Sequence, residues 1–322
     1  MAKTKIDYLR LRTQSTFAEV FKAVRPAFYG AGELLELGPS IQGKDGWESR
    51  RDLTFAGEYV GAIDYGGQSQ RGWVRLDLSG KGCAWVDDWS LVEGLRTALD
   101  ACELRRVDVC LDTFDGSVTH ERVLEAYEAG LFKRPEGGRN PKMKKVESSC
   151  PTDGRTVYVG ARTSPRFIRC YEKGWEQVAK MGIPSQFVAM PSLRVAFDGV
   201  GGEVRPDDFY RVEIEFKAVD GVVLPWPMIT SRDEYFAGAA VFCSQLVEAA
   251  PRRLQAMPSE LMPKAVLASQ MEHARRAYGG LFRALTAIYG DDVETKARLF
   301  DEMSANSPSD RLVREGVLTI DG

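Results

Sequence analysis

The chain has 322 residues, 44% of them hydrophobic and 28% charged, with a formal net charge of −3. That balance excludes disordered and fibrous classes, leaves room for a sizeable core, and gives no global basicity that would announce a nucleic-acid partner. No apolar run approaches the ~20 residues of a membrane helix, and "MAKTKIDYLRLRTQ" has no apolar signal-peptide core, so an intracellular protein with no membrane partner is expected. The six cysteines stand without a C-x-x-C pair, which points to free, largely buried thiols in place of a disulfide framework.

Residues 4–12, "TKIDYLRLR", read as a first strand, and 16–28 follow with helical spacing, capped by Ser15 or Thr16. From 33 to 88, short β-like runs alternate with Gly-rich turns, as in an antiparallel meander. Residues 90–102 form a helix with Ser90 as cap, feeding the strand "RRVDVCLDTFDG". A helix over 119–132, capped by Thr119, precedes the Gly- and Pro-broken basic stretch "KRPEGGRNPKMKK", expected as a flexible loop. "GRTVYVGART" and "PRFIRCYEKG" make a hairpin, and "YRVEIEFKAVD" is a later strand. "LPWPMI" reads as a Pro-punctuated linker. Helices then cover 231–250, 258–289 with a break at Gly279–Gly280, and 291–304, before a loosely ordered tail. The expectation is an α+β protein: a central antiparallel sheet with flanking helices over 1–225, a helical region over 226–305, and a tail over 306–322.

Charge is unevenly spread. Between 131 and 180 there are twelve Lys or Arg against five Asp or Glu, which suits a phosphate-contacting segment. Three strands share a pattern. Val107, Val109 and Leu111 oppose Arg106, Asp108, Cys110 and Asp112; Tyr210, Val212, Ile214 and Phe216 oppose Arg211, Glu213, Glu215 and Lys217. In "RFIRCYEK", Arg169, Tyr171 and Lys173 fall opposite Ile168 and Cys170. Side by side, the four carboxylates Asp108, Asp112, Glu213 and Glu215 would repel unless a divalent cation bridged some of them, and oxygen donors favour Mg²⁺, Mn²⁺ or Ca²⁺ over zinc. Neither His120 nor His273 forms a ligand spacing, so a His-bound metal or a Ser-His-Asp triad has little support.

A tyrosine has an unperturbed pKa of about 10 and is a poor nucleophile until cations favour the phenolate. Tyr171 has such flanks; Tyr158, on the neighbouring strand, lacks them. A phosphotyrosyl link would retain ester energy, in keeping with the absence of a Walker-type loop. A half-buried strand aromatic is the other reading of Tyr171, and the pattern alone leaves both open.

Together, "RRVDVCLDTFDG", "GRTVYVGARTSPRFIRCYEKGWEQ", "YRVEIEFKAVD" and "LPWPMI" followed by "DEYFAGAAVF" resemble the replication initiation factor family, the Rep_trans-type rolling-circle initiators and related relaxases of phages, plasmids and conjugative elements. The resemblance implies a nickase-like fold and a metal-dependent DNA nickase of the bacterial cytoplasm. Such an enzyme cleaves single-stranded origin DNA through a 5′-phosphotyrosyl intermediate, starting rolling-circle replication or conjugative transfer. It implies Tyr171 as nucleophile, Arg169 and Lys173 as stabilisers of phosphate charge, and Asp108, Asp112, Glu213 and Glu215 as the ligands of Mg²⁺ or Mn²⁺. Arg139, Lys142, Lys144, Lys145, Arg162, Arg166 and Arg211 are expected to contact DNA, with Asp7 joining the site from the first strand. Origin DNA, single-stranded or as a hairpin, a second copy of the chain and a host helicase are the expected partners. A water-using nuclease and a noncatalytic origin-binding protein are the alternatives. Paired histidines, which hold the metal in related nickases, are missing here.

Overall fold

A computed structural model describes residues 3–148, 150–183, 190, 193–197, 200–219, 221–254 and 262–303. Two compact units are present, Met1–Gln255 and Ala256–Gly322. The strands in chain order are β1 (Lys5–Thr13), β2 (Leu35–Gln42), β3 (Ser49–Phe55), β4 (Glu58–Tyr65), β5 (Val74–Leu78), β6 (Glu103–Thr113), β7 (Met143–Val146), β8 (Thr156–Val159), β9 (Arg166–Tyr171), β10 (Val195–Ala196), β11 (Glu203–Val204) and β12 (Tyr210–Lys217). Ten of them form one antiparallel sheet in the order β2-β3-β4-β5-β1-β6-β12-β9-β8-β7, with β10 and β11 paired separately.

Period-2 alternation decides which face is buried. Leu9 and Leu11 of β1, Val107, Val109 and Leu111 of β6, Val212, Ile214 and Phe216 of β12, and Ile168 and Cys170 of β9 enter one continuous core. Helices α1 (Phe17–Val24), α3 (Trp89–Ala98) and α4 (His120–Glu128) contribute Val20, Val24, Val92, Leu95 and Val123 to it. The short helix α2 (Gly80–Ala84) sits against β1 and β4. Thr16 closes α1 with a full capping box, its amide donating to Glu19 Oε2 at 2.8 Å. Thr119 caps α4 as expected, whereas Asp88, not Ser90, caps α3.

The first unit runs past 225. Leu224, Trp226, Met228 and Ile229 are buried in the same core, as are Phe236 of α6 (Arg232–Ala239) and Phe242 of α7 (Val241–Ser244). The prolines of "LPWPMI" therefore mark a turn in the core's cover. Ala240, at φ −156° and ψ 156°, divides the expected 231–250 helix into α6 and α7. Helix α5 (Lys173–Lys180) rests on a smaller apolar cluster built by its Trp175 and Val178 with Phe197 and Phe209. Gly174 lets it approach closely, since a Cβ there would lie 2.1 Å from the Pro206 carbonyl oxygen.

The second unit comprises α8 (Met262–Tyr289) and α9 (Val293–Met303). α8 continues through Gly279–Gly280, because two glycines at ~1 kcal/mol each do not outweigh the hydrogen bonds of a 28-residue helix. The expected tail over 306–322 lies outside the described residues, as does the side chain of His273. Among the described residues, no helix is long and apolar enough to cross a membrane.

Candidate nucleic-acid processing site

β6, β12 and β9 are consecutive in the sheet, so their polar faces merge. Register then sets the partners. Asp112 lies opposite Arg211, and Arg211 opposite Tyr171; Cys110 lies opposite Glu213, and Glu213 opposite Arg169; Asp108 lies opposite Glu215.

Tyr171 ends β9, half-buried on this face, and its hydroxyl donates to Glu213 Oε2 at 3.2 Å. The other Glu213 oxygen accepts from Arg169 Nη2. Arg169 Nε is buried and has no hydrogen-bond partner. An unmade bond at a buried guanidinium is costly unless a ligand completes it. Lys173 belongs not to the strand but to the first turn of α5, a correction to the expected parity. It still reaches the site, with Nζ 5.5 Å from the Tyr171 ring centroid and 2.9 Å from both Glu176 oxygens. Burial pushes the Tyr171 phenol well above its ordinary pKa; Arg211 opposes this and Glu213 adds to it. The cations alone therefore do not produce a standing phenolate.

Arg211 is buried and spoken for. Its Nε and Nη2 donate to Asp112 at 2.6 and 2.8 Å, and its Nη1 lies 2.9 Å from Asp7 Oδ1. Lys5 Nζ approaches Asp112 Oδ2 at 2.6 Å. Burial pushes the Asp112 carboxyl up, but Arg211 and Lys5 outweigh it and hold it below the usual carboxylate range. Asp7 reaches this cluster through a bulge, since Ile6 pairs with Val109 and Tyr8 with Asp108, leaving Asp7 as the extra residue.

The second carboxylate cluster surrounds Arg106, which donates to Asp108 at 2.6 and 2.8 Å and lies 3.0 Å from Glu215. Lys217 Nζ meets Glu215 at 2.6 Å. Burial lifts Asp108 to a pKa of about 6 against the pull of Arg106. The oxygens of Asp108, Asp112, Glu213 and Glu215 have the hard character Mg²⁺ or Mn²⁺ takes, but the structure does not bring the four together. Asp108 and Asp112 are four positions apart along β6, roughly 13 Å, and each of the four is paired with its own cation. Among the described residues no three His, Cys, Asp or Glu side chains converge to hold a metal ion. As arranged, the set does not fit a single ligand sphere.

The expected DNA-contacting cations divide between faces. Part of the basic loop is the edge strand β7, where Lys144 pairs with Tyr158 on the Tyr171 side and Lys145 pairs with Val157 on the core side. Arg139 and Lys142 are exposed beside it. Arg162 is exposed and lies over the Tyr158 and Phe167 rings at 5.7 and 5.8 Å. Arg166 pairs with Phe216 and so points to the core side, away from Tyr171. His120 is buried between Glu147 and Tyr210, at 3.3 and 3.4 Å, a structural role.

Tyr8, Arg10 and Asp77 extend the ionic face across β1 and β5 and were not singled out from sequence. Arg10 donates to Asp77 at 2.6 and 2.9 Å and to the Tyr8 hydroxyl at 2.8 Å. The alternation in "YLRLR" and "VRLDL" carried the signal.

Residues 102–259 match the profile of the family described as replication initiation factor. No curated protein matches the chain. Among solved structures, the chain is similar to a rolling circle replication initiator protein from Geobacillus stearothermophilus, with 19% sequence identity, coverage of 67% of this chain and 74% of that one, and a TM-score of 0.45.

Proposed function

We propose, from the match of residues 102–259 to the replication initiation factor family, that this chain is a tyrosine-type DNA strand transferase that nicks a single-stranded origin site and retains the 5′ end on Tyr171. The observation that carries this reading is the Tyr171 hydroxyl bonded to Glu213 at 3.2 Å beside the unpartnered Arg169 Nε. A half-buried phenol of raised pKa needs a base at the moment of attack, and Glu213 is within reach of its proton. As the phenolic oxygen bonds to phosphorus, Glu213 takes that proton and the bond to the 3′ oxygen breaks. In this reading Lys173 gives the departing oxygen its proton. Once Glu213 is neutral it no longer balances Arg169, whose charge and free Nε turn to the phosphate oxygens. The phosphotyrosyl ester keeps the bond energy, so reversal rejoins the strand without ATP.

A dependence on Mg²⁺ or Mn²⁺ is a separate part of the proposal. Among the described residues the four carboxylates, each paired with a cation, do not form a ligand sphere for that ion as arranged, and no step is routed through it. The steps above belong to the chain's own side chains. Origin DNA is the partner this reading requires; a second copy of the chain and a host helicase are expected beside it.

The test is incubation with end-labelled single-stranded origin DNA, located by footprinting, and Mg²⁺ or Mn²⁺. An SDS-resistant adduct that disappears in Tyr171→Phe supports the proposal. Cleavage without an adduct would indicate a water-using nuclease, and binding without cleavage a noncatalytic origin-binding protein.

A further inference from the structure

At the other end of the ionic face lies a cavity of about 410 Å³, lined among the described residues by six cationic side chains, two tryptophans and one carboxylate, Asp45. We propose that this cavity binds an unpaired nucleobase of the DNA strand whose backbone reaches Tyr171, with guanine favoured; the inference rests on the DNA-processing reading above.

The walls carry the argument. Trp73 lies under the Arg12 guanidinium, 4.1 Å from ring centroid to Cζ, and Trp47 under that of Arg75 at 5.3 Å. These planar, amphipathic surfaces suit stacking of a flat ring. The cations are balanced from the sheet side. Arg75 pairs with Asp64 at 2.9 Å, Arg106 with Asp108 at 2.6 Å, and Lys217 with Glu215 at 2.6 Å. Asp64, Asp108 and Glu215 are buried. The cavity therefore offers many N–H donors with little net charge. Such a site suits an uncharged, acceptor-rich ring better than a phosphate, and guanidinium donors match the O6 and N7 edge of guanine. A size of a few hundred Å³ is that of a small-ligand site.

Placement ties the cavity to the nick. Lys217 lines it, and Arg211, six positions back along β12, stands opposite Tyr171. At ~3.3 Å per residue that is about 20 Å. A strand stacked at ~3.4 Å per nucleotide covers this in about six nucleotides, fewer when drawn out. The cavity thus reads one base at a fixed offset from the scissile phosphate and sets where the strand is cut.

The experiment measures the affinity of the full chain, as Tyr171→Phe, for short single-stranded oligo(dT) carrying one dG at successive positions, by fluorescence anisotropy. Tighter binding when dG occupies one position is expected. Trp73→Ala should abolish that preference and weaken binding about 10- to 100-fold, while Trp73→Phe retains most of the affinity and the salt slope stays unchanged. Unchanged affinity in Trp73→Ala, at an unchanged melting temperature, would overturn the proposal. So would a loss that is independent of base position and accompanied by a shallower salt slope, the signature of a lost phosphate contact. Binding is read without cleavage, so failure of the nicking reading shows separately, in the adduct assay.

Discussion

Tyr171 and Glu213 stand diagonally across neighbouring strands, the phenol donating to Oε2 at 3.2 Å while Arg169 holds the other carboxylate oxygen. Each group constrains the next: burial denies Tyr171 a free phenolate, and Glu213 is the acceptor within its reach.

A pH signature follows. With Glu213 taking the proton, adduct formation should change little between about pH 7 and 9, whereas a freely ionising phenol would gain about tenfold per unit there. Glu213→Gln should lower the rate by roughly 10²- to 10⁴-fold and restore the steep rise. Single-turnover adduct formation across that range checks both. A steep rise in the wild type would remove Glu213 from its role.

The two arginines beside Tyr171 should fail differently. Arg169 has a free buried donor, so Arg169→Gln should cost about 10²- to 10³-fold in the nicking rate with a modest stability change. Arg211 ties down Asp112 and Asp7. Arg211→Ala leaves a buried carboxylate short of its main partner and should cost about 3–5 kcal/mol of stability. Urea unfolding alongside rates separates the two effects.

Much of this site was legible in sequence because β6, β9 and β12 alternate strictly, and parity alone assigns Tyr171, Arg169, Glu213 and Asp112 to one face. What parity does not contain is register. The pairing of each carboxylate with a particular cation depends on which strand lies beside it, and the bulge that brings in Asp7 shows in β1 only as two successive part-exposed residues, Asp7 and Tyr8, between the buried Ile6 and Leu9. Proline and glycine misled for a related reason. They report local backbone preference, while the burial of Trp226 and Met228 and the continuity of α8 are settled by packing and helix length.

Asp108 gives a stability prediction. Its folded pKa of about 6 exceeds the ~3.9 of an unfolded Asp, so between those values the folded chain binds more protons. Stability from this group therefore falls as pH rises through that window. Asp112, held low, has the opposite sign: its contribution is present above the unfolded value and lost as pH falls. Asp108→Asn should remove the first slope and leave the variant more stable than wild type at about pH 7, by roughly 1–3 kcal/mol. Urea midpoints at about pH 4 and 7 would show it; parallel wild-type and variant profiles would refute it.

Metal binding can be examined without DNA. Because Asp108, Asp112, Glu213 and Glu215 each meet a cation, Mn²⁺ alone should leave the melting temperature unchanged. A concentration-dependent rise, lost in Asp112→Asn, would show that the ion pairs around Arg211 yield to a metal.

Arg166 supplies a last contrast. It lies on the core side of β9; burial, and then Arg134, lower its pKa to about 10, and its buried Nη1 has no partner. An orphaned buried donor costs about 1–3 kcal/mol, so Arg166→Met should stabilise the fold by that order. Its distance from Tyr171 predicts an unchanged nicking rate at saturating DNA. A role in phosphate contact would appear instead as weaker binding and a salt slope shallower by about one unit. Destabilisation by Met would mean that the guanidinium is satisfied in solution by groups its surroundings do not display.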